Sequence, residues 1–353
     1  MELKIQNSMP IPAFHEMPMT RVAGHEPTNA ATSTSTSPFE LIANDLAEVE
    51  EVLARALESP RSFVARLVAH LGHYRGKRLR PALLLLTAQA AGEVNSSHHV
   101  LGAVVELIHT ATLVHDDVLD EALLRRHQPT IKAGWGNQSS ILLGDMLFSR
   151  AFHLASTVGD AVACEVIGRS TNRVCEGELH QVTERGNLDL TEADYLDIID
   201  GKTAELTACC CHLGALYAGA GNDVVHHLSR FGRNLGLAFQ IADDLLDITG
   251  HEAATGKTLG TDLQQKKMTL PMIYMLSRLA TDARKQVQRQ LETGSLTRAE
   301  LLPHLQDTGA TAYSMRRADE FAMAARRSLK CLPNSETKQM LESLTDWSIR
   351  REK

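Results

Sequence analysis

Residues 106–126 read ELIHTATLVHDDVLDEALLRR: apolar and small residues run without a glycine or proline into Asp116, Asp117 and Asp120, and Arg125 and Arg126 close the segment. On a helix, Asp116 and Asp120 stand at i,i+4 and Asp117 and Asp120 at i,i+3, so the carboxylates project towards one side. Like charges stacked this way destabilise a helix unless a cation lies among them. More than a hundred residues on, QIADDLLD (240–247) repeats the spacing with Asp243, Asp244 and Asp247. An acidic run is ordinarily a solvated face. Here both runs are flanked by apolar residues (Leu113, Val114, Val118, Leu119; Ile241, Leu245, Leu246, Ile248), and enclosed carboxylates need partners. Two such walls suit hard cations shared between them. Mg²⁺ is commonly held by one or two carboxylates per ion, completed by substrate phosphates and water.

The rest of the chain supports an all-α reading. Hydrophobic residues make up 43% and aromatics only 4%, with Ala and Leu dominant, which suits close-packed helices better than a β-rich core. A net charge of -7 argues against a nucleic-acid partner. The six cysteines, three of them adjacent (Cys209, Cys210, Cys211), lack the paired spacing of a disulfide framework or zinc site. They read as small core residues in a reduced compartment. No stretch is an uninterrupted transmembrane helix, and the start lacks the marks of a signal or transit peptide, so a cytoplasmic location is expected.

Residues 1–38, with prolines and a Thr-Ser alternation, are expected to be a disordered tail, and residues 39–353 one helical domain. Apolar periodicity predicts helices to about 57, at 62–71, from 80–81 to 90, and from a cap at Asn95-Ser96-Ser97 into the first Asp cluster. A loop is expected over 128–138. Helices are then expected at about 139–157, 161–183 and 192–218, and from near 224 to a stop at Gly250. A lysine-bearing loop follows (250–267), then helices from Pro271 and near 282–292, 298–307, 310–330 and 335–350. No alternation of period two is long enough for a strand.

Basic residues cluster at loops and helix ends around the walls. Lys77 and Arg80 lie at a helix start, where backbone N–H groups also favour anions. Lys202-Thr203 falls inside an apolar helix, where an unpaired ammonium would be expensive; Lys257, Lys266 and Lys267 follow the second cluster. Each alone would be a surface charge, but together with two metal-type walls they point to a polyanion such as diphosphate. His109 precedes Asp116 by seven residues at nearly the same azimuth, ~10 Å away along the helix. A histidine on an apolar helix is more often a core residue with one satisfied nitrogen, and His115 is read as structural.

GKRLRP (76–81), the 106–126 stretch, GKTAEL (201–206), FQIADDLLD (239–247), GKTLGTDL (256–263) and KMTLP (267–271) resemble, in content, order and spacing, the trans-isoprenyl (polyprenyl) diphosphate synthases. The resemblance implies a single-domain isoprenoid-synthase helical bundle around a deep central cavity, and usually a homodimer. It implies that Asp116, Asp117, Asp120, Asp243, Asp244 and Asp247 hold Mg²⁺ and the allylic diphosphate. It further implies that Arg125, Lys202 with Thr203, Gln240, Lys257 and Lys267 contact that diphosphate or its metals, and that Lys77, Arg80, His109 and Arg126 form the isopentenyl diphosphate site. Three positions depart from the family pattern: His127-Gln128 stands where Gly-Lys is common, Leu123 where a polar residue is usual, and Lys266 where Gly generally precedes the lysine.

The implied reaction is Mg-dependent head-to-tail condensation of isopentenyl diphosphate onto an allylic diphosphate. Five and four positions before Asp116 stand Ala111 and Thr112, where bulky rings go with short products in this family. The expectation is therefore a medium- or long-chain product, a quinone side-chain precursor, free to pass to a membrane. The competing expectations are a short-chain synthase or a non-catalytic partner subunit of a heteromeric synthase. A class I terpene cyclase is disfavoured because its second motif is of an Asn-Ser-Glu type.

Overall fold

The computed structural model describes residues 40–74, 76–250 and 259–350, so the expected tail at 1–38 and Lys257 lie outside the described residues. A compact unit spans Ser37–Lys353. The helices run α1 (Ala43–Leu57), α2 (Ser62–Leu71), α3 (Leu79–Ala91), α4 (Ser96–Leu119), α5 (Ile131–Ala155), α6 (Val162–Thr183), α7 (Glu192–Ile199), α8 (Glu205–Tyr217) and α9 (Asn222–Thr249). They continue with α10 (Thr261–Gln264), α11 (Leu270–Arg278), α12 (Thr281–Thr293), α13 (Arg298–Asp307), α14 (Ala310–Ser328) and α15 (Glu336–Ile349).

The long helices bearing the Asp clusters, α4 and α9, each have defined ends. Asn95 caps α4: its Oδ1 accepts from Ser97 N at 3.0 Å while its own N–H donates to His98 Nδ1 at 3.0 Å, satisfying backbone donors that no turn of helix can reach. Helix α9 stops where Gly250 N donates back to Leu246 O at 2.8 Å. Two apolar clusters hold the bundle. One joins α1, α3–α6, α8, α15 and the first half of α9 through residues such as Leu83, Leu107, Ile167 and Phe231. The other joins α7, the second half of α9 and α11–α14 through Ile241, Met272, Leu301 and Ala318. Each fully buried Leu or Ile contributes about 1.5–3 kcal/mol relative to an exposed one.

Three local expectations change. The loop expected over 128–138 is shorter, because Thr130 Oγ1 accepts from Ala133 N at 3.1 Å and starts α5 at Ile131; only Gly136 (φ 82°) interrupts that helix. A two-residue antiparallel ladder, β1 (Leu124–Arg125) with β2 (Gln128–Pro129), turns the chain between α4 and α5, where no strand was expected.

The helix expected over 192–218 is broken by a π-helical turn at Asp200–Ala204. Its neighbours press on it from both sides. A Cβ added at Gly177 of α6 would lie 2.5 Å from Lys202 N, and one at Gly236 of α9 would lie 2.6 Å from Ala204 Cα. The wide turn is wedged between two helices at backbone contact, and Lys202 and Thr203 sit on it.

Candidate active site

The first carboxylate wall occupies the last turn of α4. Asp117 is buried there: Oδ2 accepts from Tyr74 Oη at 2.6 Å, and Oδ1 accepts from Arg125 Nε at 2.8 Å with Arg125 Nη2 also 2.8 Å away. Both oxygens are thereby taken up by the protein, and Asp117 is the fully buried member of the three. Asp116 is half-buried, and burial pushes its carboxyl up to about 6 against the lowering effect of Lys202. Asp120, one turn on, accepts from Lys267 Nζ at 3.1 and 3.0 Å and from Arg185 Nη2 at 3.1 Å.

The second wall projects from α9 into a cavity of about 190 Å³ lined by Tyr195, Lys202, Asp243, Asp247, Asp262 and Lys267 among others. Asp244 is buried, accepting from Tyr195 Oη at 2.7 Å and Gln240 Nε2 at 2.6 Å; burial raises its carboxyl to about 7. Gln240 Oε1 in turn accepts from Thr203 Oγ1 at 2.7 Å, tying α9 to the π-helical turn. Asp247 closes the loop after α9, accepting from Thr261 Oγ1 at 3.0 Å and Asp262 N at 3.1 Å.

Cations bridge the walls. Lys202 Nζ lies 2.7 Å from Glu178 Oε1 and donates to Gln181 Oε1 at 2.9 Å. Burial works against its charge, but Asp116 and Glu178 outweigh that and raise its pKa. Lys267 lines the second cavity while gripping Asp120 of the first wall. Of the residues expected to face the allylic diphosphate, Lys267 contacts Asp120, Gln240 contacts Asp244, and Lys202 and Gln240 line the same cavity as Lys267.

A second basic group gathers around His109, two turns before the first wall on α4. Burial, followed by the charges of Arg80, Arg125, Arg126 and Arg78, drives the His109 imidazole well below its ordinary pKa, so it is neutral. Arg80 Nε is buried with no hydrogen-bond partner, and Arg126 Nη1 donates to Tyr74 O at 2.6 Å. Lys77 Nζ lies 5.3 Å from the centroid of the Trp347 ring of α15. Ala111 is fully buried in the first apolar cluster, and Thr112 is half-buried with Oγ1 donating to His109 O at 2.8 Å. His115 Nε2 lies 3.2 Å from Ile141 O of α5, which matches its structural reading.

Sequence reasoning passed over several residues here. Tyr74 and Tyr195 each hold the middle Asp of a cluster, and neither carries a local signal, since their partners are 43 and 49 residues away. Glu178, Gln181 and Arg185 come from α6 and the turn after it, without a recognisable spacing. Asp262 was within reach: it lies in the lysine-bearing loop five residues before Lys267. It is half-buried, and desolvation together with Asp244 and Asp247 raises its carboxyl well above the usual range. Two of the family departures fall on left-handed backbone, His127 at φ 61° and Lys266 at φ 54°. There the Cβ carries a steric cost that glycine escapes.

Comparisons with known proteins bear on the family. The polyprenyl synthetase family model matches residues 61–306. The chain is 37% identical over 312 residues to the all-trans-nonaprenyl-diphosphate synthase (geranyl-diphosphate specific) of Rhodobacter capsulatus, covering 88% of this chain and 96% of that one. It is 38% identical over 307 residues to heptaprenyl diphosphate synthase component 2 of Geobacillus stearothermophilus, covering 87% and 95%. Among solved structures, the polyprenyl synthase of Caulobacter crescentus, complexed with calcium and isoprenyl diphosphate, superposes with a TM-score of 0.85 at 35% identity over 90% of this chain and 97% of that one. With the family model covering most of the bundle and such relatives matched nearly end to end, the chain belongs to the polyprenyl synthetase family of prenyltransferases.

Proposed function

We propose that this site joins isopentenyl diphosphate head-to-tail (1'-4) to an allylic diphosphate, geranyl or farnesyl, and yields a medium- or long-chain all-trans polyprenyl diphosphate of the kind used for quinone side chains. The observation that carries the reading is the pair of carboxylate walls, the second lining a cavity with Lys202 and Lys267 and Lys267 reaching from it to Asp120 of the first, together with an arginine-rich group around a neutral His109. Two anionic substrates need two cationic sites, and the lysines beside the walls and the arginines around His109 offer them.

Magnesium fits the donor set. The walls offer only oxygen, and among the described residues no three His, Cys, Asp or Glu side chains converge closely enough to enclose an ion by themselves. An ion that takes one or two carboxylates and completes its shell with substrate phosphate and water suits such open walls. Asp116, Asp117 and Asp120 of the first wall and Asp243, Asp244 and Asp247 of the second would share several such ions, one or two carboxylates to each. When bound, magnesium neutralises the diphosphate leaving group. The related synthase with calcium and isoprenyl diphosphate supports the same pairing of ion and ligand here.

The chain's own residues then do three things. Lys202, Gln240 and Lys267, with Lys257 from the loop outside the described residues, orient the allylic diphosphate and stabilise the charge left on it as the C–O bond breaks. Lys77, Arg80 and Arg126 grip isopentenyl diphosphate, neutral His109 can donate a hydrogen bond to it, and Arg125, held on Asp117, faces the allylic diphosphate. Apolar walls keep water from the allylic cation while the double bond attacks, and the proton passes to the released diphosphate. Ala111 and Thr112 leave room for a growing chain beneath the first wall.

Among the described residues no helix is long and apolar enough to cross a membrane. A homodimer in the cytoplasm, passing its product to a membrane, fits the exposed Leu123, Leu124 and Leu142, each more than 60% accessible.

The deciding experiment incubates purified protein with Mg²⁺, radiolabelled isopentenyl diphosphate and farnesyl diphosphate and sizes the dephosphorylated products. A ladder extending well beyond C20 is expected. A stop at C15 to C20 would overturn the chain-length reading, and no incorporation with metal present would overturn the catalytic one in favour of a partner subunit.

A further inference from the structure

We propose that Arg185 is a diphosphate-binding residue of the allylic site, a guanidinium parked on Asp120 until the substrate's phosphates arrive. The proposal rests on the function proposed above. Arg185 stands in the turn after α6 and lines the same cavity as Lys202, Lys267, Asp243, Asp244 and Asp247. Its backbone is held close to the loop that carries Lys267, because Gly186 N donates to Lys266 O at 2.9 Å. Its side chain is held by much less: of the five donors of a guanidinium, one is engaged among the described residues, Nη2 to Asp120 Oδ1 at 3.1 Å. The side chain is 32% exposed, so it can turn without disturbing the core.

Asp120 already receives Lys267 on both oxygens. Two cations on one carboxylate is an arrangement that lasts only while nothing else claims that carboxylate. A divalent ion on Asp120 would compete with Arg185 and Lys267 for that carboxylate, and a diphosphate in the cavity they line would offer both cations a more highly charged acceptor. A planar guanidinium suits a phosphate better than a carboxylate edge it touches through one nitrogen, because its paired donors match two phosphate oxygens at once. Lys202 comes from the π-helical turn, Lys267 from the loop after α10 and Arg185 from the turn after α6, so the cavity draws cations from three separate segments of the chain.

The alternative is that Arg185 only screens Asp120 from its neighbours, and the two roles separate experimentally. Arg185→Gln and Arg185→Lys are measured for calorimetric binding of inorganic diphosphate with Mg²⁺ and for KM towards farnesyl diphosphate and isopentenyl diphosphate, with thermal melts confirming the fold. Arg185→Gln is expected to weaken diphosphate binding and raise the farnesyl diphosphate KM about tenfold, with the isopentenyl diphosphate KM within about twofold of wild type; Arg185→Lys recovers part of the loss. Diphosphate affinity and allylic KM unchanged in Arg185→Gln, or both KM values rising together, would overturn the proposal. Failure of the wild-type protein itself to bind diphosphate or condense the substrates would instead sink the function on which it rests.

Discussion

Gly177→Ala tests whether the π-helical turn positions Lys202. The new Cβ would lie 2.5 Å from Lys202 N, 2.8 Å from Gly201 C and 3.0 Å from Gly201 Cα, all backbone atoms that no rotamer change can move aside. Ordinary contact begins near 3.4 Å, so α6 and the turn must separate by about 0.9 Å. Overpacking of this kind costs about 1–3 kcal/mol. The displaced segment carries Lys202 and Thr203, and a misplacement of about 1 Å at a catalytic group lowers turnover by about 100-fold. Gly168→Ala is the control on the same helix: its Cβ would meet only Phe152 Cε1 at 3.9 Å, so the alanine should be neutral or stabilise by up to about 1 kcal/mol. Denaturant melts of both variants, with kcat and KM for each substrate, decide the matter. Wild-type stability and turnover in Gly177→Ala would refute the idea that backbone contact between α6 and the turn sets the lysine.

Other expectations follow from the same geometry. Asp116→Asn and Asp243→Asn should each lower turnover at least about 100-fold with unchanged far-ultraviolet circular dichroism, and near wild-type activity in both would sink the two-wall reading. Asp117→Ala leaves Tyr74 and Arg125 without their buried acceptor and should cost about 3–5 kcal/mol, against little for Asp120→Ala, as read by urea denaturation. His98 is buried, with Nδ1 accepting from Asn95 N at 3.0 Å and Nε2 donating to Gly214 O at 3.1 Å, and burial holds its pKa below the ordinary value. The unfolded chain therefore binds the proton first: the contribution of His98 is complete above about pH 6.5 and is lost as pH falls through the lower, folded value. His98→Gln should flatten that part of the stability–pH curve, and an unchanged slope would contradict it. His127→Gly relieves a left-handed residue at φ 61° and should stabilise by up to about 1 kcal/mol in the same melts; a loss of that size would show the strain to be absent.

The residues themselves made several features plain. Apolar spacing and end signals are read over one or two turns, so the sequence by itself determined an all-helical chain, the Asn95 cap, the long helices under both Asp clusters and the stop at Gly250. Charge spacing did the same for the carboxylate walls, since i,i+3 and i,i+4 neighbours share a helix face whatever the helix packs against. What each carboxylate touches could be decided only by the tertiary structure. Asp116, Asp117 and Asp120 look equivalent in the motif, yet Asp117 is taken up by Tyr74 and Arg125, while Asp120 faces Lys267 and Arg185. Those partners lie from 8 to 147 residues away and reach it through helix packing. The π-helical turn has the same origin: GKTAEL is compatible with a regular helix, and the turn is found where Gly177 and Gly236 bring α6 and α9 to backbone contact. Periodicity reports what one helix can bury. Which groups meet across the cavity depends on where the other helices lie.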